Sequence, residues 1–182
     1  MSPDDAASAD QSARIPEEEA LRRMYRITSN HERTYEHKLT DLLRLGCVYF
    51  DVEAGFLTEV SDRTQYIVEA VGDYELLQAG NSCPLSEAYC RKTITEDRAL
   101  SVQHAAVEGW EQDTAYEVFG LEAYIGAKVM LEGEIYGTFC FADSEPRADP
   151  FSSAEETFVE LMAEWVSYEL FQRRANERIQ KQ

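Results

Sequence analysis

Lysine is nearly missing from this chain, with 4 residues in 182, against 13 arginines and 35 acidic side chains. The formal net charge is −18. No basic face is left to meet a phosphate backbone or an anionic lipid surface, which argues against direct nucleic-acid or membrane-surface binding. Acid-rich, lysine-poor composition is the pattern of cytoplasmic proteins from extreme halophiles, where molar salt shortens the Debye length to about 3 Å and screens self-repulsion. Cysteine is sparse as well. Cys47, Cys83, Cys90 and Cys140 form no C-x-x-C pair, and a cytoplasmic chain of this size does not call for disulfides. The three histidines, His31, His37 and His104, lack metal-ligand spacing, so no metal is expected. Glycine-rich phosphate loops are absent too. Gly133 and Gly137 read as hairpin residues.

No apolar run is long enough to cross a bilayer. The opening stretch, MSPDDAASADQSAR, has neither the basic start nor the apolar centre of a signal peptide. Residues 1–15 are expected to be a disordered acidic tail on a cytoplasmic protein. The remaining length suits one domain, over 16–174, with 175–182 ending a terminal helix.

What the chain does have is a strong pattern of elements. Ile15-Pro16 and three glutamates open a first helix, to about Ser29. A second, about Tyr35 to Phe50, carries Leu39, Leu42, Leu43 and Cys47 on one face. Two strands follow, AGFLTEV and QYIVEAVG, joined across Ser61 to Thr64 as a hairpin. Cys83-Pro84-Leu85-Ser86 leads into a predicted helix, SEAYCRKTI, with Ser86 as its cap. A short strand, ALSVQ, and a short helix, about Asp113 to Phe119, come next. AYIGAKVML and EIYGTFCFAD then form a hairpin around Glu132-Gly133. A last helix, about Ser153 to Ile179, places Phe158, Leu161, Met162, Trp165, Val166 and Tyr168 on a broad stripe. Past Phe171 it turns polar, as a helix does when it continues into another domain or a coiled coil.

This arrangement resembles a GAF domain, the small-molecule and chromophore-sensing module of signalling proteins. The resemblance spans about Ala20 to Arg174. It rests on PLSEAYCRKTI (Pro84 to Ile94), YIGAKV (Tyr124 to Val129), GEIYGTFCFAD (Gly133 to Asp143) and the Pro150-Phe151-Ser152 entry to the last helix. It is also similar to GAF domains found beside PAS domains in haloarchaeal sensor kinases and in bacterio-opsin-activator-like regulators. The resemblance implies an α+β fold: a PAS-related antiparallel sheet of five to six strands, with terminal helices on one face. Short helices and loops would close a ligand pocket on the other face. Five strands are evident. The helix pattern predicts a homodimer through the terminal helices, with Leu21, Met24, Phe158, Met162 and Trp165 partly in the core and partly in the interface. The resemblance implies a kinase or transcription-regulator output domain reached through the NERIQKQ end. No kinase H-box, ATP-binding motif or helix-turn-helix occurs in the sequence, which is either a stand-alone module or a piece of a longer chain.

No cofactor is specified. Chromophore-binding relatives usually carry histidine after the attachment cysteine, where this chain has Arg91. The cysteine loops of methionine-sulfoxide-reducing relatives and the N-K-x-F-D pattern of cyclic-nucleotide relatives are absent, so no enzyme activity is expected. Tyr89, Trp110, Tyr116, Phe119 and Tyr124 cluster where the chain would close over the sheet, as rings with polar tips suit an orienting pocket. They can equally be core. Strand alternation places Tyr124, Gly126 and Lys128 together, and likewise Thr138, Cys140 and Ala142, with Phe139 and Phe141 opposite. Ligand-binding candidates are therefore Tyr89, Cys90, Trp110, Tyr116, Tyr124, Lys128 and Cys140. Lys128 would serve as an anion anchor if inward. Cys90, beside Arg91, would be a depressed-pKa redox thiol or a buried packing residue.

Overall fold

The computed structural model describes residues 15–181. The expected tail lies outside that range except for Ile15, which packs partly buried against the core. Helix α1, Glu17–Thr28, starts at Pro16 with Glu17, Glu18 and Glu19 in its first turn, where acids complement the helix dipole. Helix α2, Tyr35–Phe50, is capped by Thr34, whose hydroxyl accepts from His37 N–H at 3.2 Å. Six strands follow: β1 Ala54–Ser61, β2 Thr64–Val71, β3 Ser82–Pro84, β4 Leu100–Val102, β5 Ala123–Leu131 and β6 Glu134–Asp143. They make one antiparallel sheet in the order β3-β2-β1-β6-β5-β4. The sixth strand absent from the sequence pattern is β3. Three residues ending in proline carry no alternation to detect, and proline is tolerated there because β3 is an edge.

Between strands lie α3, Cys90–Thr93, and α4, Thr114–Phe119. The predicted SEAYCRKTI helix is broken. Leu85–Glu87 form one 3-10 turn, Ala88 is extended, and only Cys90–Thr93 are helical. Ser86 therefore caps no helix. The break lets Tyr89 and Cys90 both sink into the interior, to 3% and 2% exposure. Helix α5, Ser153–Gln180, opens with a capping box in which the Ser152 hydroxyl accepts from Glu155 N–H and Glu155 accepts from Ser152 N–H.

The two sheet faces carry separate cores. Helices α1, α2 and α5 cover one face, burying Leu39, Leu42, Phe50, Phe158, Val159, Met162 and Val166 against Leu57, Ile125, Val129, Phe139 and Phe141. Gly46 of α2 and Gly55 of β1 both press on the Phe141 ring, and a Cβ on Gly55 would lie 2.8 Å from it. The predicted α5 stripe divides in two. Phe158 and Met162 are fully buried within the chain, whereas Leu161 and Tyr168 are 46% and 58% exposed. Trp165 is half-buried and stacks on Tyr35 at 5.9 Å. Phe158 and Met162 thus fall on the core side of the expected division. No helix among the described residues is long and apolar enough to cross a membrane.

Candidate functional site

The opposite face of the sheet carries the second core. Alternation along β1, β2, β5 and β6 sends Phe56, Ile67, Tyr124, Cys140 and Ala142 to this face, under α3, α4 and the loops around them. Tyr124 stacks on Tyr89 with ring centroids 5.3 Å apart, and Tyr89 meets Trp110 at 5.3 Å.

Beneath the rings runs a chain of buried polar atoms. The Tyr124 hydroxyl is 2.7 Å from Thr93 Oγ1 and 3.0 Å from Cys140 Sγ. Cys140 Sγ is 3.0 Å from Thr138 Oγ1, which lies 2.7 Å from Thr58 Oγ1, and Thr58 reaches Cys90 Sγ at 3.9 Å. A connected network of this kind satisfies groups that would otherwise be costly to bury. Burial pushes the Cys90 thiol up to about 11 and Cys140 up to about 12. Of the two readings of Cys90, the structure fits the buried packing residue and not the depressed-pKa thiol. Arg91 turns away to Asp113 and the Ser86 carbonyl, leaving Cys90 among neutral partners.

The covering segment is fastened at several points. Asp113 Oδ1 accepts from Ala115 N–H and caps α4, while Oδ2 takes Arg91 at 2.7 Å and Lys92 at 3.1 Å. Burial alone would raise the Asp113 carboxyl, but the Ala115 hydrogen bond and the Lys92 and Arg91 charges outweigh it and hold the carboxyl below its usual value. Lys92 also sits over Trp110 at 5.0 Å. Tyr89 donates to the Leu121 carbonyl at 2.7 Å, and Tyr74 to that of Phe119. Tyr116 hydrogen-bonds Glu122, whose carboxylate also accepts from Ala106 N–H and lies 3.6 Å from His104 Nε2.

Of the expected site residues, Tyr89, Tyr124 and Cys140 converge in this core, Cys90 lies buried beside them against Thr58, and Trp110 and Tyr116 pack at its margin. Lys128 does not join them. It shares the Tyr124 face but stands four residues along β5, half-buried, with its Nζ 4.0 Å from exposed Asp97. Its ammonium is not an anchor inside the core. A small cleft opens between sheet and cover, lined by Phe56, Gln65, Leu77, Tyr89, Cys90, Phe119 and Leu121. The room for a water-sized sphere to move is about 10 Å³, enough for a single water. Gln65 and Leu77 escaped sequence reasoning. Nothing in QYIVEAVG marks one polar position as inward, and Leu77 belongs to an irregular loop.

The chain belongs to the GAF domain family, whose profile matches residues 36–170. A search of curated proteins gave no match. Among solved structures, the GAF domain of a phosphoenolpyruvate-protein phosphotransferase from Coxiella burnetii superposes with a TM-score of 0.71 at 15% identity, covering 90% of this chain and 99% of that one. The phycocyanobilin-bound GAF domain of a cyanobacterial phytochrome gives 0.68 at 14% identity, with 89% and 97% covered. A domain assigned to a two-component sensor histidine kinase of Sinorhizobium meliloti gives 0.59 at 16%, with 82% and 99% covered. At such identities the likeness is one of fold.

Proposed function

We propose that this chain is a non-catalytic regulatory module of a cytoplasmic signal-transduction protein, receiving a small ligand on the second-core side and relaying its presence through α5. The observation that carries this reading is the β5–β6 hairpin, which reaches both places. At one end it supplies Tyr124 and Cys140 to the second core. At its tip, Glu132 pairs with Arg174 at 2.8 Å and Arg178 at 2.9 Å, and the Ser167 hydroxyl donates to the Met130 carbonyl. A ligand that favours one position of the hairpin or its cover shifts the population of α5 positions, by no more than its differential affinity for the two states. Leu161 and Tyr168 face outward from α5 and would meet a second copy, with a kinase or transcription-regulator domain reading the helix pair. The acidic composition supports a halophilic, archaeal setting. A covalent bilin is not favoured, because Cys90 is buried and followed by Arg91.

A second reading is a ligand-free dimerisation and spacer domain. It is favoured by the same aromatic stack, beside which the cleft has room for about one water. Protein purified in molar salt, denatured and examined by mass spectrometry separates the two. A stoichiometric small molecule absent from a control protein supports the receptor. An empty extract supports the spacer.

A further inference from the structure

Arg147 is a buried cation with little to hold it. It is 7% exposed, on the segment between β6 and α5. Its guanidinium lies over the Phe151 ring at 4.0 Å and beside one carboxylate, that of Glu155, with Nη1 3.0 Å from Oε2 and Nη2 3.5 Å from Oε1. A guanidinium carries five N–H donors. Among the described residues, neither Nε nor Nη1 has a hydrogen-bond partner, so the approach to Glu155 is not the two-bond fork that makes such pairs strong. A position built only for stability is served as well by an apolar side chain, without the cost of desolvating a charge. What the charge adds is the ability to let go. Outside, the guanidinium recovers its hydration, and that gain offsets much of the lost contact. Engaged and released arrangements therefore lie close in free energy.

The contacts on either side define what the pair holds. Glu155 is the third residue of α5, and its Oε1 also accepts from Ser152 N–H in the capping box. Arg147 N–H donates to the Gln103 carbonyl at 3.1 Å, and Gln103 Nε2 donates to the carbonyls of Arg147 and Ala148, each at 3.0 Å. Gln103 opens the cover, where its N–H and that of His104 donate to Glu108 at 2.9 and 2.7 Å. Two residues earlier, Ser101 on β4 donates to Glu156 of α5 at 3.4 Å. The cover is thus tied to the first turn of α5 through Gln103, Arg147 and Glu155 in series.

We propose that Arg147 is a releasable latch that sets the position of the start of α5 according to whether the cover is closed. The inference rests on the relay reading above and gives that relay a second route, at the start of α5, beside the hairpin tip that meets its later turns. With the cover closed, Gln103 holds residues 147 and 148 and the guanidinium meets Glu155. When the cover shifts, Gln103 withdraws, Arg147 turns to water and Glu155 keeps its capping role. The helix stays whole while its first turn comes free.

The test is a double-mutant cycle on the full chain in molar salt, read by amide exchange at Trp110 in the cover and at Thr157 and Phe158 in α5. Asp113→Asn loosens the cover by removing the charge that Arg91 and Lys92 hold. In the wild-type background it should quicken exchange at Trp110, and at Thr157 and Phe158 by about three- to tenfold, within the range that coupled networks carry. Arg147→Met with Glu155→Gln cuts the latch and leaves a glutamine able to complete the capping box. In that background the effect at Trp110 should remain, and the effect at Thr157 and Phe158 should fall below about twofold. Gln103→Leu cuts the same connection from the cover side, without touching the buried pair, and should give the same result. A structural anchor changes melting temperature and baseline exchange, but leaves the effect of Asp113→Asn on α5 the same in every background. That equality in either cut variant, or no effect of Asp113→Asn on α5 in the wild type, overturns the latch. The receptor reading survives such a result where a stoichiometric compound is recovered from the native protein, and falls with an empty extract.

Discussion

The Tyr124 hydroxyl joins two parts of the second core that are far apart in sequence, Thr93 on α3 and Cys140 on β6. Tyr124→Phe keeps the ring stack and removes only that junction. It should cost about 1–2 kcal/mol, because Thr93 and Cys140 each lose a buried partner; urea unfolding at fixed high salt measures it. Asp113 makes a prediction of the opposite electrostatic kind. Its folded pKa is depressed, so its contribution to closing the cover is present above the unfolded value, about 3.9, and is lost as pH falls through the folded value. Amide exchange in residues 103–119 should therefore quicken in acid below that point, and Asp113→Asn should abolish the dependence. Much of this site was legible by alternation. Placing Thr138, Cys140 and Ala142 together, opposite Phe139 and Phe141, needs only the two-residue period of a strand. Which group meets the second core depends on what covers each face, and that is settled by α2 and α5 packing on the Phe141 side. Lys128 was expected at the site and Gln65 was not, for the same reason. Inwardness at a strand end is decided by how far the cover extends, which no local pattern records.

Elements were read best where they are long. α2 spans the expected Tyr35 to Phe50, because its apolar face and Thr34 cap agree. Pieces of three or four residues, such as β3 and α3, have no room for a period, and tertiary contacts choose their conformation. Turns lie between these extremes. In the second hairpin, Glu132 and Gly133 both have positive φ, 53° and 83°, the geometry of a type I′ turn. The first hairpin uses the same geometry with Asp62 at 50° and Arg63 at 60°, and neither is glycine. Arginine has no side-chain compensation for a left-handed backbone. Arg63→Gly is accordingly expected to stabilise the protein by about 0.5–1 kcal/mol, net of the entropy glycine adds to the unfolded chain. Thermal melts at matched salt would show it.

For the molecule as a whole, two salt effects oppose each other. Exposed ion pairs such as Glu132 with Arg174 and Arg178 are worth about 0.2–1 kcal/mol each and weaken as salt rises. Self-repulsion from a net charge of −18 is spread over the entire surface and weakens too, to the benefit of the fold. The distributed repulsion should prevail. The melting temperature is expected to climb between about 0.1 and 3 M KCl, with partial unfolding below about 0.5 M, as charge screening shortens; a flat profile would refute this. In molar salt the chain should also be a dimer by light scattering, and Leu161→Glu with Tyr168→Glu should make it monomeric without lowering its helix content. The Phe141 ring is gripped by Gly46 from α2 and Gly55 from β1, with no side chain between them to yield. Helix and sheet are bolted together at that point. Among the described residues, helix α5 has no comparable bolt beyond residue 170, where arginine–glutamate pairs are its moorings. If the module works as a machine, its moving part is α5, and the two glycines are the reason the rest of it stands still.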